Sequence, residues 1–140
     1  MLKFMKITGS GNDFVMFNNL DGKIENRRKL AIEVCRFKYG IGADGAIFLE
    51  KSKKADFKMR IFNSDGSEAE MCGNGLRCLI RFIHEQKISR KRKLSIETLA
   101  GIYNTSFHNP GVSIRMFLVE KPALHKVVEI DGEKLVVHSL

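Results

Sequence analysis

The chain has 140 residues, of which 44% are hydrophobic and 29% are charged, and its formal net charge is +8 at pH 7. These proportions are those of a folded, water-soluble globular domain. No apolar run approaches the roughly 20 residues of a membrane helix, and no apolar stretch of a secretory signal follows Met1–Lys6. We therefore expect a cytoplasmic protein without a membrane partner.

The N-terminal part of the chain predicts two strands and then a helix. The strands are LKFMKI and FVMF, separated by the glycine-rich turn TGSGND. Within residues 25–40, Leu30, Val34 and Phe37 recur at near-helical spacing, and Gly40 is a typical C-terminal stop. One amphipathic helix is predicted there.

Two strands and the clearest helical period follow the loop GIGADG. AIFLE is apolar throughout, and DFKMRIFN places Phe57, Met59 and Ile61 on one face of a strand. After the turn NSDGS, apolar residues recur at i, i+3, i+4 and i+7, which predicts a helix packed inside a sheet. These residues are Leu76, Leu79, Ile80 and Ile83.

The rest of the chain reads as further strands joined by LAG, HNPG and DG turns. They are LSIET, IYNTSF, VSIRMFLVE, KVVEI and KLVVHS. About eight strands and two helices predict an α+β fold dominated by antiparallel pairing. Pro122 interrupts a strand-rich stretch and is a candidate boundary to another structural unit.

The cysteines and histidines argue against a disulfide framework and a metal site. An odd number of cysteines without an export signal favours reduced thiols. Zinc sites need CxxC-type spacing or nearby histidines, and here the histidines lie singly in segments of different pattern. These residues are Cys35, Cys72, Cys78, His84, His108, His125 and His138.

The densest basic run is SRKRKL, residues 89–94. It follows a predicted helix and precedes a predicted strand, where solvated charge is common. It is not accompanied by an aromatic RNA-binding signature or a helix-turn-helix pattern. We expect no nucleic-acid partner, although a basic partner-binding domain remains an alternative.

The stretch EMCGNGLRC places Cys72 where the predicted second helix begins. At the N-cap, unpaired N–H groups and the positive end of the helix dipole favour a thiolate, and Gly73 and Gly75 leave the backbone open to a carboxylate or phosphate. Alternatively, Cys72 is a small buried residue in a helix-entry turn, and the glycines serve only that turn. The local pattern leaves both interpretations open.

Four motifs extend a resemblance over nearly all of residues 1–120. They are GSGNDFV, GIGADG, MRIFNSDGSEAEMCGNGLRC and ETLAG, in that order. The chain resembles the N-terminal half of the diaminopimelate epimerases, and the block of residues 59–78 is far more specific than a short glycine motif.

The resemblance implies a two-lobed, pseudo-symmetric enzyme, each lobe a curled, mostly antiparallel sheet around a central helix. One cysteine of each lobe takes part: a thiolate removes the α-proton and the opposite thiol reprotonates the other face, without pyridoxal phosphate, another cofactor or a metal. Helix N-termini hold the α-carboxylate, so the developing carbanion is stabilised electrostatically.

Carried over residue by residue, the resemblance makes Cys72 the catalytic cysteine of this lobe. The N–H groups of Gly73 and Asn74 match the α-carboxylate cradle, and Asn12 and Asn63 match asparagines that hold the distal end of the substrate. Without the resemblance, either Asn12 or Asn63 reads as a turn residue that bonds its own backbone. Cys35 and Cys78 are expected to be packed rather than catalytic.

The domain expectation is an epimerase lobe in residues 1–120 and the start of a second lobe in residues 121–140. The second catalytic cysteine is not among these residues, so we expect the chain alone to have little or no activity. Its expected partners are diaminopimelate, the second lobe of the same enzyme and, as a further candidate, a second copy in a homodimer. Poor solubility is expected where the surface facing that lobe is uncovered.

Two alternatives remain beside the diaminopimelate epimerase reading. One is a related racemase or isomerase that acts on proline, hydroxyproline or a phenazine precursor, against which the pair Asn12 and Asn63 argues. The other is a non-catalytic module that binds a small anion or a partner.

Overall fold

The computed structural model describes residues 2–116 and 123–139, which form two helices and ten strands. The helices are α1 (Arg27–Cys35) and α2 (Gly73–Glu85). The strands are β1 (Met5–Gly9), β2 (Asn12–Asn18), β3 (Gly45–Glu50), β4 (Phe57–Asn63), β5 (Glu68–Ala69), β6 (Lys93–Thr98), β7 (Gly101–His108), β8 (Gly111–Ile114), β9 (Ala123–Ile130) and β10 (Glu133–Ser139).

Eight of the described strands form one mixed sheet. Its order is β1-β2-β3-β4-β6-β7-β8, with β5 paired to β4, while β9 and β10 form a separate hairpin. The β2–β3 and β4–β6 pairs are parallel, and the other pairs within the described residues are antiparallel. Parallel neighbours need a crossover, and α1 and α2 lie in the two crossovers. The prediction of an α+β fold with mostly antiparallel pairing is confirmed.

Helix α2 packs its apolar stripe on one face of the sheet. The predicted stripe from Leu76 to Ile83 is buried, and it contacts strand residues that include Ile47 and Ile61. Met59 and Ile61 are buried in the same cluster and Phe57 packs at its margin, as the alternation in β4 predicts. The central helix thus lies against the sheet in the predicted way.

The opposite face of the sheet is covered by α1. Ala46 and Phe48 of β3 are buried there with Ala31 and Cys35 of the helix. Strand β3 is therefore buried on both faces, which explains why AIFL is continuously apolar rather than alternating.

Helix α1 is shorter than predicted. It begins after the N-cap Asn26, whose side chain accepts from the Lys29 N–H, and it ends at Cys35 because Arg36 is extended. The chain then turns back, and the Ile41 N–H bonds to the Val34 carbonyl at 2.8 Å. The placement of Phe37 on the helix face is wrong, since this side chain lies in the turn and is 76% exposed.

Strand boundaries also differ locally. Strand β1 begins at Met5 rather than at Leu2, and the two-residue β5 has no counterpart in the predictions. The strand predicted over VSIRMFLVE ends at Ile114, and its last residues lie outside the described part of the chain, as do Pro122 and the expected boundary at residues 120–121. The predicted DG turn is confirmed between β9 and β10, where Asp131 has φ 52°. Within the described residues, neither helix combines the length and apolarity needed to cross a membrane.

Candidate active site

Cys72 caps the N-terminus of α2, as predicted. Its backbone is extended, its Sγ accepts from the Gly75 N–H at 3.3 Å, and its carbonyl accepts from the Leu76 N–H at 2.8 Å. The side chain is partly exposed. The sulfur therefore lies at the positive end of a 13-residue helix.

The first two N–H groups of α2 are the open ones. Among the residues that the structure describes, the N–H groups of Gly73 and Asn74 have no acceptor. A Cβ placed on Gly73 would meet only the Arg77 guanidinium, at 3.7 Å. An anion can therefore approach these N–H groups directly.

Gly75 has a different role from Gly73. An added Cβ there would lie 2.9 Å from Ile47 Cδ1 and 3.1 Å from Ile61 Cδ1. Gly75 is buried and its N–H is bonded to the Cys72 sulfur, so the expectation that it opens the backbone to a ligand is wrong. It lets the first turn of α2 approach the sheet closely.

A side-chain hydrogen bond brings Asn12 and Asn74 together. Asn74 Nδ2 donates to Asn12 Oδ1 at 3.0 Å, and Asn74 Oδ1 accepts from Arg77 Nη1 at 3.2 Å. Both asparagines are partly exposed. Asn74, predicted to hold the α-carboxylate, and Asn12, predicted to hold the distal end of the substrate, are thus in contact beside Cys72.

Asp44 organises this edge of the sheet, and sequence analysis did not identify it. Its carboxylate accepts from the Asp13 N–H at 2.8 Å and from Asn12 Nδ2 at 3.3 Å. Its carbonyl accepts from the Ser64 N–H at 3.1 Å. Asp44 lies within the motif GIGADG, which could have drawn attention to it. However, its hydrogen-bond partners Asn12 and Asp13 are brought close to it by the parallel pairing of β2 with β3.

Asn63 lies at the same end of the sheet, but among the described residues it forms no hydrogen bond with Asn12 or Asn74. It pairs with Gly45 in the strand register, and its Nδ2 donates to Ser67 Oγ at 2.9 Å. The Asn63 N–H also bonds the Ser67 carbonyl at 2.8 Å. Asn63 is thus the last residue of β4, it is exposed, and its side chain bonds across the turn that follows.

The other two cysteines are packed, as predicted. Cys35 and Cys78 are buried, and burial raises the pKa of each thiol to about 11. The negative charge of a Cys72 thiolate adds to the rise for Cys78, after burial. All three cysteines are free. At neutral pH, Cys35 and Cys78 are therefore neutral thiols.

Solved structures with this fold include phenazine biosynthesis proteins, a hydroxyproline epimerase and a methylitaconate-delta-isomerase. A hydroxyproline epimerase from Agrobacterium vitis superposes with a TM-score of 0.66 at 13% identity, covering 93% of this chain and 45% of that one. A phenazine biosynthesis protein of the PhzF family from Bacillus anthracis gives a TM-score of 0.65 at 23% identity, covering 91% and 43%. The fold is thus that of one lobe of the epimerase-type architecture.

Comparison of amino-acid sequences identifies the family to which the chain belongs. A sequence model described as diaminopimelate epimerase matches residues 4–121. The chain is 48% identical over 137 residues to the diaminopimelate epimerase of Agathobacter rectalis, and 49% identical over 104 residues to that of Heliobacterium modesticaldum. The chain belongs to the diaminopimelate epimerase family, which confirms the resemblance to its N-terminal lobe. The match to the Agathobacter rectalis protein includes 94% of this chain but only 48% of that protein. The match to the Heliobacterium modesticaldum protein includes 72% of this chain and 37% of that protein.

Proposed function

We propose that this chain supplies one of the two acid–base thiols that invert an α-carbon of diaminopimelate. The observation that carries the proposal is the position of Cys72 at the N-cap of α2, beside the two open N–H groups of Gly73 and Asn74. The N-terminus of one helix thus places a candidate base, the Cys72 thiolate, next to backbone N–H groups that can bind an anion.

The proposed reaction is a two-base proton transfer. The Cys72 thiolate takes the α-proton from one face of the substrate, and a thiol of the second lobe gives a proton to the opposite face. The reverse reaction exchanges the two roles, so no net proton is consumed. The α-carboxylate lies on the N–H groups of Gly73 and Asn74, where the helix dipole stabilises charge developing at the α-carbon.

Asn12 and Asn63 are proposed to hold the distal amino-acid end of the substrate. An amide can donate to a carboxylate and accept from an ammonium group, which suits a zwitterion. The bond between Asn74 and Asn12 supports a role for Asn12, because it ties the distal site to the carboxylate cradle. Asn63 donates one amide N–H to Ser67, which leaves its second N–H and its Oδ1 for a ligand.

The sequence identities to named relatives favour diaminopimelate over other amino acids as the substrate. Those named diaminopimelate epimerases are 48–49% identical to the chain, whereas the hydroxyproline epimerase is 13% identical. The division into a lobe of residues 1–120 and the start of a second lobe remains a prediction. So do a cytoplasmic location, independence of any cofactor and the inactivity of the chain by itself.

A chimera tests the proposal directly. This chain replaces the matching 137-residue region of the Agathobacter rectalis enzyme, which supplies the remaining residues. We expect the chimera to epimerise LL-diaminopimelate and to exchange its α-hydrogen with D2O. Cys72→Ala should lower both rates by about a thousandfold or more, because an acid–base group is lost.

The matched control is Cys78→Ala, which removes a packed thiol six residues along the same helix. It should retain most of the rate. Equal activity of the Cys72→Ala chimera and its parent would overturn the assignment of Cys72. An active chimera that turns over proline or hydroxyproline but not diaminopimelate would overturn the substrate.

A further inference from the structure

A second concave site lies at the other end of α2. It is a pocket of about 440 Å³ between the end of that helix, the segment before β6 and the turn after β7. It is lined by His84, Arg90, Arg92, Phe107, His108 and Asn109. From Cys72 to His84 the helix rises roughly 18 Å, so this pocket is separate from the candidate active site.

The lining is strongly basic. Four of its six residues carry guanidinium or imidazole groups, and none is acidic. Arg90 and Arg92 are exposed, and neither guanidinium has an ion-pair or hydrogen-bond partner within the described residues. Guanidinium groups that line one concavity are suited to bind an anion by charge-assisted hydrogen bonds.

Within the basic run, the side chains of residues 90–93 alternate between the pocket and the opposite side of the chain. Lys91 reaches away from the pocket and pairs with Asp56 at 2.8 Å. Lys93 lines a different concavity, together with Asp56. The carbonyl of Arg92 accepts from the Phe107 N–H at 2.8 Å, which holds this residue beside β7. Arg90 and Arg92 therefore share the side that faces the pocket.

His84 forms part of the wall and leaves a polar atom unsatisfied. Its ring stacks on Phe107 with centroids 3.9 Å apart and planes 11° apart. Its Nε2 is covered by protein but has no hydrogen-bond partner among the described residues. A buried polar atom without a partner is uncommon, and His84 contributes to the pocket through the wall that its ring forms with Phe107.

We propose that this pocket binds the phosphate group of a small phosphorylated molecule. The planar forks of Arg90 and Arg92 match two edges of a phosphate, and the volume suits a small ligand rather than an extended chain. The pocket is independent of the epimerase proposal, because it uses none of the residues placed around Cys72.

The test is a titration of the ¹⁵N-labelled 140-residue chain with inorganic pyrophosphate, followed by NMR at near-physiological salt. We expect saturable shifts at His84, Phe107 and His108. The double variant Arg90→Gln/Arg92→Gln should bind about tenfold more weakly or worse, because charge-assisted hydrogen bonds are lost. Arg90→Lys/Arg92→Lys keeps the charge but loses the forks, so its affinity should fall between the two.

The control is Lys51→Gln/Lys53→Gln, which removes the same net charge from two exposed residues outside the pocket. The dispersion of each spectrum reports whether the variant is folded. The proposal is overturned if pyrophosphate causes no saturable shift, or if the control weakens binding as much as the arginine variant. It is also overturned if a short single-stranded DNA binds about a hundredfold more tightly than pyrophosphate, since the surface would then be a nucleic-acid site.

Discussion

Asn74 Nδ2 donates a hydrogen bond to Asn12 Oδ1 at 3.0 Å, and so joins the first turn of α2 to the first residue of β2. The two residues are 62 positions apart in the chain. This contact places the Cys72 cap beside the sheet edge that Asp44 organises. The site is therefore held by tertiary hydrogen bonds between elements and not by the helix start alone.

Asn12→Ala removes the acceptor of this bond and also the amide that donates to Asp44. We expect the free energy of unfolding to fall by about 1–2 kcal/mol, since a lost hydrogen bond usually costs about 1 kcal/mol. Urea denaturation of the chain measures it. The control Asn104→Ala truncates an exposed asparagine of β7 and should change stability by less than about 0.5 kcal/mol. Equal effects of the two variants would show that the bonds of Asn12 to Asn74 and Asp44 contribute nothing.

Thiol labelling should distinguish Cys72 from the other two cysteines. Cys35 and Cys78 are buried and burial raises the pKa of each to about 11, so both stay protonated at about pH 8. We expect one thiol to react rapidly with iodoacetamide in the folded chain and three to react in denaturant, as counted by mass spectrometry. Cys72→Ser should remove the rapid phase, and labelling of Cys78 at a similar rate would contradict the burial.

Gly9 is required by the position of Cys78. An added Cβ at Gly9 would lie 2.5 Å from Cys78 Sγ. Gly9→Ala should cost about 1–3 kcal/mol of stability, as overpacking does, and should cost less in a Cys78→Ala background, which removes the sulfur. Thermal or urea unfolding of the four proteins gives the coupling.

A glycine without such a neighbour provides the control for Gly9. Gly111 has nothing within 4 Å of an added Cβ and no positive φ, so Gly111→Ala should change stability by about 0.5 kcal/mol or less. If Gly9→Ala were as mild as Gly111→Ala in both backgrounds, the close approach to Cys78 would not exist.

The ion pair of Glu68 with Arg60 should make stability depend on pH. Two bonds of 2.6 Å join the groups, and the hydrogen bond from Arg60 lowers the pKa of Glu68 below its ordinary value of 4.5. A lowered carboxyl pKa stabilises the fold above the unfolded value, and that contribution is lost as pH falls through the folded value.

Unfolding measured between about pH 6 and about pH 3 tests this dependence. Glu68→Gln should flatten the loss of stability below about pH 4.5, because its amide does not titrate in that range. Glu25→Gln changes an exposed carboxylate and serves as the control. A pH profile of Glu68→Gln that parallels the parent would contradict the coupling.

Features encoded locally were predictable from the sequence. The apolar residues from Leu76 to Ile83 predicted the buried face of α2, because residues at this spacing lie on one face only when the segment is helical. The glycine-framed Cys72 predicted the helix cap, and Asp131 with Gly132 predicted a hairpin turn. Each of these signals depends on residues within a few positions of one another.

The parts that only the tertiary structure decided depend on long-range pairing. Asp44 became an acceptor for Asn12 because β2 and β3 pair in parallel through a crossover, which no local pattern specifies. Phe37 has helical spacing but lies outside α1, because the chain turns back at Arg36. The contact of Asn74 with Asn12 arises in the same way, since the free energy of such bonds is realised only when distant elements have packed.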